Sequence, residues 1–121
     1  MKTKMKINDL SEMVKKFRAK EGEYIERKIR KNITFCKLII LIKSECEKNE
    51  IAYCSQIARE LGFSQSYIHN LVNELIQYGI VKINPLSTNL SEIVLVKNDN
   101  NPVIDKYIDL CVSVLKNRGV L

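Results

Sequence analysis

From residue 57 to residue 76 the apolar positions trace two short helices around a turn. Ile57, Ala58 and Leu61 recur at i, i+1 and i+4, and Gly62 then supplies a residue that can take positive φ where a helix stops. Ser64 restarts the chain as an N-cap. Beyond it Ile68, Leu71, Val72, Leu75 and Ile76 fall at i, i+3, i+4, i+7 and i+8, a full apolar stripe for one helix face. Gly79 closes this helix, and residues 80–83 predict a strand.

The same spacing organises the rest of the chain. Leu10, Met13, Val14 and Phe17 predict an amphipathic helix from about residue 9 to about residue 20, and Gly22 interrupts it. Tyr24, Ile25 and Ile29 open a longer helical segment, continuous through Cys36 and Leu38 to Ile42 and ending near Asn49. Ile51 and Tyr53 fit a short strand, and Ser55 begins the next helix. Two β-rich runs, 81–84 and 92–97, are separated by the turn-forming segment 85–91. A polar turn follows at 98–101, with Asn101 as cap and Pro102 in the first turn of a final helix. That helix carries Ile104, Tyr107, Ile108, Cys111 and Leu115 and ends at Gly119. Alone, the first and last helices would leave apolar faces in water. Symmetric pairing through Leu10, Met13, Val14, Phe17, Ile104, Ile108, Cys111 and Leu115 would cover them, so a homodimer is expected.

The stretch 51–83 resembles the winged helix-turn-helix of MarR-like and ArsR-like transcription regulators. Ile57-Ala58, Leu61-Gly62, Ser64-Gln65-Ser66 and Gly79-Ile80-Val81 occupy the places of that pattern, in order and at matching separations, within a region of about residues 35 to 97. The resemblance implies a mainly α fold with a small antiparallel β wing and additional N- and C-terminal helices. It divides the chain into a basic N-terminal helical arm (1–31), a winged helix-turn-helix (32–98) and a C-terminal dimerisation helix (99–121). Sequence-specific binding of double-stranded DNA by a homodimeric regulator, with repression favoured, is the function implied.

Charge sharpens this picture. The net charge is +6, and residues 1–31 hold eleven Lys and Arg against five Asp and Glu, so the whole excess is N-terminal. Such asymmetry points to an arm that meets nucleic acid, with Arg27, Arg30 and Lys31 on phosphates; a solvated helix face is the plain alternative. From Glu60 to Val81 there is neither Lys nor Arg. Positive contacts would therefore come from the arm, from Lys37, Lys43 or Lys82, and from backbone amides at helix starts.

On the helix after Ser64, about 100° per residue places Ser66, Asn70, Asn73 and Gln77 opposite the apolar stripe. Gln65 and His69 flank them on one side and Tyr67 on the other. Asn and Gln can bond bidentately to the adenine edge in the major groove, and Ser can meet a base or a phosphate. The DNA-contacting set expected is thus Gln65, Ser66, Tyr67, His69, Asn70, Asn73, Arg27, Arg30, Lys31 and Lys82. The alternative function, from a different class, is a winged-helix protein-interaction or assembly module without sequence-specific DNA binding.

Four cysteines, Cys36, Cys46, Cys54 and Cys111, form no CxxC pair, and His69 is the single histidine, so neither metal nor cofactor is expected. Cys36 and Cys111 sit on apolar stripes, and Cys46 and Cys54 flank a predicted connection where they could approach each other. No nucleophile–base pairing or phosphate-cradling glycine loop is present, so an enzyme is not expected. The longest uncharged apolar run spans only residues 38–42, and no apolar h-region follows the MKTKMKIN start. A cytoplasmic protein with no membrane partner is the expectation.

Overall fold

The computed structural model describes residues 23–87 and 91–121. The predicted helix carrying Leu10, Met13, Val14 and Phe17 lies outside the described residues. Within them the chain is mainly α, with five helices and two small antiparallel sheets. Helix α1 occupies residues 23–31, α2 Ile33–Asn49, α3 Cys54–Leu61, α4 Gln65–Gln77 and α5 Asp105–Asn117. Strands β1 (Ala52–Tyr53), β2 (Val81–Ile83) and β3 (Glu92–Leu95) pair in the order β1-β3-β2. A separate hairpin joins β4 (Lys97–Asn98) to β5 (Asn101–Pro102).

The continuous helix predicted from Tyr24 to Asn49 is instead broken at Asn32, which adopts an extended conformation at φ −127° and ψ 101°. Its Oδ1 accepts a hydrogen bond from the Phe35 amide at 3.0 Å, so one residue ends α1 and caps α2. At the far end of α2, Glu50 takes the left-handed conformation, with φ 66°, and its N–H returns to the Cys46 carbonyl.

Between α3 and α4 the local signals act as the sequence implies. Gly62 has φ 75°, which its missing Cβ permits without strain, and the Ser64 hydroxyl accepts from the Tyr67 amide at 3.2 Å. The apolar stripe of α4 turns Ile68, Leu71, Val72 and Leu75 into the core. β3 forms the centre of the three-stranded sheet, with Ile93 paired to Ala52 on one side and to Ile83 on the other. All of Ala52, Val81 and Ile93 are buried, so the sheet closes the core beneath α2.

Two expectations need correction. Ile104, Cys111 and Leu115, expected at a dimer interface, are buried within the chain, at 0%, 0% and 2% exposure, and Ile108 is half-buried against the same core. The physical reason is that α5 packs on α2 of its own chain, so its stripe already has a cover. Asn101 and Pro102 do not start α5 but form β5, because Asp99 and Asn100 turn the chain at φ 48° and 69°. Two consecutive positive φ values are the geometry of a tight hairpin, and Asp and Asn tolerate it better than most residues. Ile25 and Ile29 of α1, on the apolar side read from the sequence, are buried with the rest of the core, so the described part of the basic segment is packed against the body.

Candidate nucleic-acid interface

α4 presents one uninterrupted polar face. Gln65, Ser66, Asn70, Asn73 and Gln77 are all exposed, and His69 is half-buried at its edge. None of these side chains is needed for the core, which takes the opposite side of the helix. Ser64 caps the Tyr67 amide at the start of α4, and the helix dipole makes that end weakly positive.

Glu74 is the single acid on α4. Lys28 of α1 forms an ion pair with its Oε2, and the Lys28 ammonium also lies 5.4 Å from the centre of the Phe35 ring. The negative charge on this helix is therefore neutralised by a residue from another element. Tyr24 and Tyr78 add a ring contact at 5.8 Å between centroids, again joining α1 to the C-terminal end of α4. α1 is thus held alongside α4 on the flank away from His69, and the polar face stays open.

Of the remaining cations expected at the interface, Arg27, Arg30, Lys31 and Lys82 are exposed. Arg27 pairs with Glu23 at 3.8 Å, but both side chains are mostly in water, where such a pair contributes little and yields easily to phosphate. The Arg118 guanidinium donates to the Arg30 carbonyl at 2.8 Å, which fixes the end of α1 against α5 and leaves the Arg30 side chain in solvent. Lys82 points outward from β2, between buried Val81 and half-buried Ile83. Lys43 does not belong to this set. It bridges Glu47 at 3.1 Å and Asp105 at 2.5 Å, so its charge is consumed in tying α2 to α5. Burial works against its charged form, but the hydrogen bonds to Asp105 and Glu47 prevail and hold its pKa above 10.5.

Phe63 is the residue that periodicity missed. It sits in the turn just before the cap and stays 43% exposed, while Tyr67 in the first turn of α4 is 37% exposed. Their rings meet with centroids 4.9 Å apart. A large apolar residue directly before an N-cap is ordinarily a staple that packs on the following helix, and that signal was available in the sequence. Here the ring leans on Tyr67 and leaves much of its surface in water.

All four cysteines are free and buried. The Cys36 thiol donates to the Ile29 carbonyl at 2.9 Å, tying α2 to α1. Burial pushes the Cys54 thiol up to about 11, and Cys36 together with burial raises that of Cys111, so neither is a thiolate at neutral pH. Among the described residues no cluster of three or more His, Cys, Asp or Glu is placed to hold a metal ion, and no helix is long and apolar enough to cross a membrane. Comparison with protein families, curated proteins and solved structures finds no match.

Proposed function

We propose that this chain is a winged helix-turn-helix protein that binds double-stranded DNA sequence-specifically and regulates transcription, with repression favoured. In this reading α4 enters the major groove, the β2–β3 hairpin is the wing beside it, and α1 lies toward the flanking phosphates. The observation that carries it is the open face of α4, made of hydrogen-bonding side chains, with its one acid cancelled by Lys28 and with Arg27, Arg30 and Lys31 on the helix packed against it. Amides and hydroxyls on such a face suit base edges, whereas cations beside it suit phosphate. A homodimer belongs to the same reading. With the α5 stripe buried in its own chain, the residues still expected at its interface are Leu10, Met13, Val14 and Phe17, which lie outside the described residues.

One observation favours the rival reading, a protein-interaction or assembly module. No cation lies between Glu60 and Val81, so the helix that would enter the groove has no cationic phosphate contact of its own. Selection of bound sites from random-sequence duplex DNA decides between the two. Enrichment of a defined motif is expected, with affinity that falls steeply as salt rises. Recovery of unenriched sequence, or affinity insensitive to salt, would sink the DNA reading.

A further inference from the structure

The exposed ring pair Phe63–Tyr67 has no role in the core, yet it occupies the end of α4 that would lie deepest in a groove. Phe63 is fixed there by backbone geometry, since its amide donates to the Ala58 carbonyl at 3.0 Å and the next residue is the Ser64 cap. Tyr67 stands one helical turn before Asn70 and Leu71, and the Tyr67 and Asn70 side chains, three residues apart, are neighbours on the helix surface. An aromatic surface and a carboxamide therefore stand side by side, close enough to address one base pair or two successive ones, about 3.4 Å apart along a strand.

In the major groove an A·T pair offers two things together. Adenine shows an acceptor and a donor that a carboxamide matches bidentately, and thymine projects a C5-methyl group that only apolar contact can recognise. No other base pair has both. Guanine is most often read by Arg or Lys, and α4 has neither. Resting on the DNA-binding reading above, we infer that this interface reads A·T pairs from both partners: Asn70 with Asn73 or Gln65 takes the adenine edge, and the Phe63–Tyr67 pair covers the thymine methyl. Phe63 is then a specificity-determining residue. Its exposure has a purpose in the complex, where the ring surface leaves water against a methyl group.

Alternating copolymer duplexes test this with the full chain. Poly(dA-dT) carries the methyl, poly(dA-dU) lacks it and keeps every hydrogen-bonding group, and poly(dI-dC) changes the major-groove pattern while leaving its minor groove like that of A·T. Binding to poly(dA-dT) is expected to exceed binding to poly(dA-dU) by roughly threefold to tenfold, the order expected for one buried methyl per contact, and poly(dI-dC) is expected to bind weakest. Phe63→Ala should make the first two polymers bind alike and leave poly(dI-dC) weakest; Asn70→Ala should keep the gap between the first two and bring poly(dA-dU) and poly(dI-dC), which both lack the methyl, to similar affinity. Tyr67→Ser, at an exposed helical position, is the second variant should Phe63→Ala fail to fold, and it should narrow the methyl gap likewise. Equal binding to poly(dA-dT) and poly(dA-dU), or a gap that Phe63→Ala and Tyr67→Ser both leave at its full size, overturns the inference while firm duplex binding leaves the parent reading standing. Failure to bind any of the three polymers at low salt removes both, and leaves the ring pair as a protein-docking surface.

Discussion

At the scale of single residues, Asn70 and Lys28 carry opposite kinds of information. Asn70 touches nothing in the core, so Asn70→Ala should leave thermal stability within about 0.5 kcal/mol of the parent. On the selected DNA site the same change should cost about 1–3 kcal/mol, with little effect on random duplex. Equal losses on both DNAs would reject base readout by this amide. Lys28 is the reverse case, a structural cation whose loss strands Glu74. Lys28→Met is expected to lower stability by about 1–3 kcal/mol, and adding Glu74→Gln should recover most of it; thermal melts of the three variants provide the check. Lys43 gives a pH signature. Its pKa is raised in the folded chain, so the stability it adds is fully present below its ordinary 10.5 and drains away as pH rises through the raised value. Denaturation of the parent and of Lys43→Met should therefore differ by a constant amount near neutrality and converge in strong alkali; a gap that widens with pH would contradict the bridge to Glu47 and Asp105.

At the scale of elements, the breaks matter as much as the helices. Asn32 supplies the α2 cap, so Asn32→Ala should cost about 1 kcal/mol, and Asn32→Ser much less; urea melts would show whether the break depends on that side chain. α1 also gathers the cations, so replacing Arg27, Arg30 and Lys31 together should weaken all duplexes alike and flatten the salt dependence. A loss confined to one sequence would place these residues on bases instead.

Sequence alone resolved elements to the degree that their signals are local. Gly62, Ser64 and the stripe from Ile68 to Leu75 mark α3, the turn and α4 within a few residues, since the cap and the helical period act over one or two turns. β2 and β3 are legible for the same reason. The break at Asn32 was hidden because apolar residues on both sides of it, Ile29 and Phe35, both face the core and so imitate one stripe. Hairpin β4–β5 was hidden because Asp99 and Asn100 adopt positive φ without a glycine to announce it. For the α5 stripe the shortfall is of another kind: periodicity reports that a face is apolar and says nothing of what covers it. Phe63 was passed over because a single aromatic in a turn belongs to no period.

For the molecule as a whole, helices α2 and α5 form the frame against which everything else is set, joined by Lys43 to Asp105 and by a buried apolar seam. Leu115→Asp should consequently unfold the chain, losing helical signal by circular dichroism, before it changes any association state. A folded, monomeric Leu115→Asp variant would restore α5 to an intermolecular role. Burial of all four thiols carries a matching expectation, that a thiol-specific reagent labels the native protein far more slowly than the denatured one. The exposed face of α4 has a further consequence, for how the chain can change over generations. Ser66, Asn70, Asn73 and Gln77 support none of the packing that holds the helix in place. Substitutions there are therefore nearly free of the stability threshold that limits most mutations. Under the proposed DNA-binding function, the fold can acquire a different preference, one side chain at a time, without first becoming less stable.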